Sequence, residues 1–366
     1  MPSIAEVYDY VVGVDTHAKT HEYVIVSAVT GAVIAGPEKF PATSVGHAKA
    51  ISWAQSQAAG GVILAAVEGV GSYGRTLSDR LGDAGIATTD TRPSSKKVRR
   101  GKGKTDGLDA IRAARSVLEL DTTELGEPRR GRVRDDLQVL LISRGQKTKM
   151  KTSLINALNA IVRTQGLLPD TRRRLTLTQI RSLADGSLTR ITDAVLSPII
   201  VTEVTDLAAS VIALTAELAA NYRRINDTVQ AWRPDLLEVV GVGPVTAARI
   251  LCAWSHQGRF ANDGHFASLA GISPIPIGSG ERFAHRLNYG GDRQLNAAIH
   301  TIVLTRRRVD EETKIYLAKR TADGKSSRAI NRLLKRHVIR QIFRLLENGP
   351  QPATDTPTTI EAPAAA

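Results

Sequence analysis

The chain has 366 residues, more than one ordinary hydrophobic core holds, and 42% of them are hydrophobic, so two or three domains are expected. Lysine and arginine number 49 against 36 aspartates and glutamates, giving a net charge of +13 and a pI of about 10.0, which points to a polyanionic partner, in the first place nucleic acid, with a generally basic surface as the alternative. A single cysteine, Cys252 in the apolar run ARILCAW, excludes an intrachain disulfide framework or cysteine-built zinc site, and neither a secretory signal nor a membrane-length apolar stretch is read, so a cytoplasmic, nucleoid-associated protein is expected.

In chain order, YVVGVDT (10–16), EYVIVSAVT (22–30) and AVIAGPEKF (32–40) are β-branched runs separated by polar and glycine turns, the pattern of a three-strand meander. A helical pattern over 43–58 leads to a buried strand VILAAVE (62–68), a helix from Ser72 to Asp83, a short strand IATTDT (86–91) and a helix carrying Asp106 and Asp109. Three antiparallel strands followed by alternating helix and strand is the order of an RNase H-like α/β domain, placed at 8–128. From Arg129 to about Gly166 the pattern is long, helical and basic. A second long helix is expected from Glu203 to Trp232, with Leu207, Val211, Leu214, Leu218 and Ile225 near heptad spacing. Residues 129–233 therefore read as a helical arm, either an oligomerisation seam or ordinary core helices. A third, mostly helical domain is expected at 234–348, and GPQPATDTPTTIEAPAAA (349–366) has the composition of a disordered tail.

Asp15 closes the first strand and Glu68 the later buried strand, and in an RNase H-like sheet those strands lie side by side. Asp106 and Asp109, three apart, share one helix face. Carboxylates so gathered need counter-charge, and hard oxygen ligands suit Mg²⁺ or Mn²⁺. Two such ions would stabilise the attacking and leaving oxygens of a phosphoryl transfer. His17 and His21 read as surface histidines rather than ligands. Just before the acidic helix, RPSSKKVRRGKGK (92–104) carries Lys96, Lys97, Arg99, Arg100, Lys102 and Lys104 and no acid, which suits either a loop holding a phosphate backbone or a plain basic linker.

In the last domain, LLEVVGVGPVTAARILCAW (236–254) sets Gly241 and Gly243 in a turn between helices. That resembles a helix-hairpin-helix element, whose exposed amides meet a phosphate, and equally a tight interhelical turn. Ser279 falls in a glycine-flanked loop between two helical segments, with Arg282, Arg286 and Arg293 near in sequence. Such cations could steady a phosphate beside a serine nucleophile. Residues 282–344 carry 16 lysines and arginines against five acids, a basic face suited to positioning phosphates.

VGVDTHA, VEGVGSYG, GKTDGLDA, GVGPVTA, LAGISP, GSGERF and GGDRQLNAAIH resemble, in order and over roughly 10–345, the motifs of DEDD-type insertion-sequence transposases, relatives of the Piv-type invertases and including RNA-guided bridge recombinases. The resemblance implies a RuvC-like domain with Asp15, Glu68, Asp106 and Asp109 on divalent metal, and Ser279 attacking the DNA backbone to form a phosphoserine link. It further implies a tetramer, or dimer of dimers, in which one subunit's serine meets another's acidic site, and an element-encoded RNA that pairs with donor and target DNA. The chain departs from the usual pattern at Asp292, where many members carry Asn, and at Glu281, where lysine is usual. The expectation is a transposase that excises and integrates its element by strand exchange. Its rivals are a junction-resolving nuclease working through water and the carboxylates, and a non-catalytic nucleic-acid-binding regulator.

Overall fold

A computed structural model describes residues 2–91, 106–168, 172–186, 197–279, 282–286, 288 and 290–349. The basic stretch holding Lys96, Lys97, Arg99, Arg100, Lys102 and Lys104 and nearly all of the expected tail lie outside these residues. The chain divides into two compact units, one of Met1–Gly131 with Trp254–Asn262, the other of Arg132–Ala253 with the described residues from Asp263 onward.

The first unit holds β1 (Tyr10–Thr16), β2 (Thr20–Ser27), β3 (Val33–Pro41), β4 (Ile63–Glu68) and β5 (Ala87–Thr91), with helices α1 (Ile4–Val7), α2 (Ser44–Ala58), α3 (Arg75–Asp83) and α4 (Asp106–Arg115). The sheet order is β3-β2-β1-β4-β5, antiparallel among the first three and parallel from β1 through β4 to β5, an RNase H-like arrangement. Val12, Val14, Tyr23 and Ile25 pack under α2 and α3 on one face. Val11, Val24, Val26, Leu64 and Ala66 meet Ala110 and Ala114 of α4 on the other. Both faces are covered, which is why β1 and β4 read as unbroken apolar runs. Helix α3 begins three residues later than the sequence suggests, because Ser72 and Gly74 are tied by their amides to the carbonyl of Gly69, which turns the chain at φ +78° after β4.

The second unit begins with two long helices, α5 (Arg132–Thr164) and α7 (Pro198–Trp232), with α6 (Leu177–Ala184) between them in sequence. Asn221 donates to the Leu140 carbonyl at 3.0 Å, Arg144 to that of Leu218 at 3.0 Å, and Lys147 pairs with Glu217 at 2.8 Å. The ladder descends along one helix as it climbs the other, so α5 and α7 are antiparallel. Toward the end of α5, Leu158 and Val162 pack with Val204 and Ala208 and with Ile180 and Leu183 of α6. Helix α7 starts five residues before the expected Glu203, at Pro198 in the first turn, where a missing amide proton costs nothing. It is also long and apolar enough to cross a membrane, by length and composition alone, contrary to the reading that no stretch comes near that. Val204, Ala208 and Val211 pack in the seam with α5 and α6, while Ile199 near its start is exposed.

The remaining elements are α8 (Asp235–Glu238), α9 (Pro244–Trp254), α10 (Asp263–Leu269), a hairpin of β6 (Ile275–Ser279) and β7 (Arg282–Arg286), α11 (Arg293–Val309), α12 (Glu311–Ala322) and α13 (Ser327–Asn348). Arg233, buried just past the end of α7, donates to the carbonyls of Leu345 and Leu346 and pairs with Asp235, fastening the arm to the last turns of α13. Cys252 is buried with its Sγ 3.6 Å from the Arg134 carbonyl, a packed thiol as its apolar context implies.

Candidate functional site

The sheet register places Asp15 opposite Glu68 on the parallel side and opposite Glu22 on the antiparallel side. Glu22 in turn pairs with Lys39, and Glu68 with Thr91. One row across all five strands is therefore Lys39, Glu22, Asp15, Glu68, Thr91. Directly opposed residues project to the same side of a sheet, so the three carboxylates share a face. It is the face that α4 covers, since Gly13, two residues before Asp15, lies against it. A Cβ at Gly13 would sit 2.0 Å from the Ala110 carbonyl oxygen, and only glycine lets the helix come so near. At Gly107 a Cβ would lie 3.1 Å from Glu22 Oε1, so the first turn of α4 stands over the acidic row. That turn begins at Asp106 and carries Asp109 one turn on.

Asp15 and Asp109 are 8% and 9% exposed, and Glu68 is half-buried. Buried carboxylates at such density require counter-charge. Asp109 pairs with Arg112 at 2.7 Å, Glu22 with Lys39 at 3.4 Å, and Asp15 Oδ2 has His17 Nδ1 at 3.7 Å. Thr16 donates to the Glu68 carbonyl at 2.7 Å and ties the carboxyl ends of β1 and β4 together. Hard oxygens at the carboxyl edge of central strands suit a divalent cation, and the backbone brings Asp15, Glu68, Asp106 and Asp109 to one end of one face. Among the described residues no three His, Cys, Asp or Glu side chains close a metal cluster, and the Asp106 side chain lies outside that description.

His17 is exposed, as its sequence suggests. His21 is not: it is fully buried on the opposite face, stacked on His47 at 5.2 Å with 10° between the rings. Burial pushes both imidazoles below the usual histidine range, chiefly by desolvation. Among the described residues, His21 Nε2, both His47 ring nitrogens and the Tyr23 hydroxyl have no hydrogen-bond partner.

In the second unit Ser279 is the last residue of β6 and pairs in register with Arg282 of β7, so a hairpin stands where a loop between helices was expected. Arg286 pairs with Ile275 at the other end of the hairpin, about 13 Å of strand from the Ser279 pair. Arg293 opens α11, whose first amides are capped by Asp292 through Gln294 and Leu295 at 2.9 and 3.0 Å. The departure at Asp292 thus has a local structural role. Gly241, at φ +87°, abuts the Ile302 carbonyl, where a Cβ would come within 3.0 Å. The Gly243 amide is taken by Thr246 Oγ1 at 2.8 Å. Both glycines are used by packing and the turn itself.

One constellation had no obvious sequence signal. Ser255 Oγ lies 3.1 Å from His256 Nδ1, and His256 Nε2 lies 2.8 Å from Glu127 Oε2. Ser255 is buried at φ +77°, and its hydroxyl donates to the Arg130 carbonyl at 2.9 Å while accepting the Arg130 amide at 2.8 Å. An inaccessible hydroxyl committed to backbone is a clasp between 127–130 and 254–259, not a nucleophile.

Residues 12–165 match a family model described as a transposase, of the DEDD type, and residues 234–318 match that of the transposase IS116/IS110/IS902 family. The chain belongs to the DEDD-type IS110 transposases. No curated protein matches it. The two matches cover the acidic sheet and the segment holding Ser279, so this transposase acts on DNA with a nuclease-like domain of a kind that uses divalent metal.

Proposed function

We propose that this transposase excises and integrates its own insertion sequence by strand exchange through a covalent link between Ser279 and DNA. The observation that carries the reading is the register of Asp15 with Glu68 beneath the first turn of α4, within a chain whose second family match contains Ser279. Asp15, Glu68, Asp106 and Asp109 would hold a divalent cation, Mg²⁺ or Mn²⁺, which when bound offsets the charge of a phosphoryl-transfer transition state. The Ser279 hydroxyl oxygen forms a bond to the scissile phosphorus as the bond to one DNA hydroxyl breaks, and that hydroxyl takes up a proton. Attack by a hydroxyl of the partner strand reverses the step and frees the serine. Arg282, in register with Ser279, is the first arginine to test as a phosphate contact. Arg286 and Arg293 then belong to the wider DNA-positioning surface, with the lysines and arginines of 96–104 reaching a phosphate backbone beside the carboxylates.

The same reading includes a homo-oligomer, a tetramer or dimer of dimers built on the α5–α7 arm, in which one subunit's serine serves another's acidic site. It also includes an element-encoded RNA that selects donor and target, in a protein working on cytoplasmic, nucleoid DNA. The test is a joining assay with labelled donor ends, target plasmid and Mg²⁺, with and without RNA transcribed from the element's flank. Sequence-selective joining only with that RNA supports the guided mechanism. Equal selectivity from RNA-free protein removes the guide, and hydrolysed ends without joining favour the junction-nuclease reading.

A further inference from the structure

The acidic row contains one carboxylate that neither the four-residue signature nor the serine uses. Glu22 stands directly opposite Asp15 on β2, on the face that α4 covers. It is 7% exposed, and its Oε2 is buried and accepts no hydrogen bond among the described residues. The Lys39 ammonium, from the cross-strand neighbour on β3, lies 3.4 Å from that oxygen. Its other oxygen faces the first turn of α4, next in sequence to Asp106.

Like charges directly opposed across strands are destabilising, so Glu22 opposite Asp15, which already faces Glu68 on its other side, is a costly choice for a strand that needs only to pack. The cost has a purpose if positive charge enters the row. Partners behind the direct ligands of a metal orient those ligands and tune the ion, and their loss typically weakens affinity about 10- to 100-fold. Resting on the metal reading above, we propose that Glu22 is a fifth carboxylate of this centre. It is a positioning residue that holds the Asp106 turn over the row and adds negative charge behind Asp15, with Lys39 as its counter-ion.

The test measures Mn²⁺ affinity by electron paramagnetic resonance, and thermal midpoints in chelator and in Mn²⁺, for the full-length wild type, Glu22→Gln, Lys39→Gln and Asp15→Asn. Glu22→Gln removes the charge and keeps the shape. It is expected to bind Mn²⁺ about 10-fold more weakly while its metal-free midpoint holds or rises, because a repulsion has been relieved. Lys39→Gln exposes the row to more of its own charge and is expected to shift the other way, with a lower metal-free midpoint and several-fold tighter Mn²⁺. Should Glu22→Gln fail to fold, the sign of the Lys39→Gln shift still decides. Unchanged affinity in either folded variant, or a lowered metal-free midpoint with unchanged affinity in Glu22→Gln, makes Glu22 a structural residue and overturns the proposal. A wild type that binds no Mn²⁺ brings down the metal reading as well.

Discussion

Gly13 is the position where a single methyl group matters most to the site. Alanine there would meet the Ala110 carbonyl at 2.0 Å and the Ala114 Cβ at 2.8 Å, and both belong to the helix bearing Asp109. Gly13→Ala is expected to cost about 1–3 kcal/mol, the usual range for forcing volume into a packed core, and to diminish the thermal stabilisation that Mn²⁺ gives. Chemical denaturation with and without metal checks both effects. The stacked histidines make a separate prediction about pH. His21, His47 and His256 all titrate below the usual histidine value, each chiefly through burial. The unfolded chain therefore binds protons from about pH 6.5 downward while the folded chain resists them, so stability falls as pH drops through that window. His47→Phe keeps a ring against His21 and removes two buried nitrogens that have no hydrogen-bond partner among the described residues. It is expected to flatten the fall in midpoint between pH 7 and pH 5 and to raise the midpoint at the acid end. A slope identical to wild type would show that the pair does not set it.

Among the elements, the arm is held by polar contacts as well as by its seam. Asn221 is buried on α7, donates to the Leu140 carbonyl and lies 3.4 Å from Arg144. A buried amide in a helix seam is a well-attested register device. Asn221→Ala is expected to lose about 1–2 kcal/mol and to speed amide exchange along α5 and α7 while β1 and β4 keep their protection. Uniform exchange rates in mutant and wild type would contradict this. The elements also show what could be read in advance. Strands β1 and β4 and their terminal acids were legible, because a strand covered on both faces leaves an unbroken apolar run and then stops. The eight-residue α6 was not, although its Thr176–Gln179 capping box is a local signal that could have marked it. The hairpin over 275–286 was hidden because its glycines and proline read as turn rather than strand. Glu22 and His21 are adjacent, and only the register of β2 against β1 tells which one faces α4. Composition carries no trace of that register, so the sequence alone shows the acidic row without its third member and does not mark His21 as buried.

For the whole molecule, the division at Gly131 has a practical consequence. The N-terminal unit includes Trp254–Asn262, whose Ser255, His256 and Arg259 grip Glu127 and Arg130. His256 holds the Glu127 carboxyl below the usual carboxylate range, chiefly through their hydrogen bond. A fragment ending at residue 131 is thus expected to melt below the corresponding transition of the intact chain, which calorimetry on both would show. The two family matches, over 12–165 and 234–318, draw on residues of both units. The most direct measurement is a denaturing gel of labelled donor DNA incubated with Mg²⁺, flank-derived RNA and wild-type protein, Ser279→Ala or Asp109→Asn. A denaturation-resistant protein–DNA adduct in the wild type, absent from Ser279→Ala and depleted in Asp109→Asn, is the expected result. Free cleaved ends of equal yield in wild type and Ser279→Ala, with no adduct in either, would contradict it and give the chemistry to water and the carboxylates.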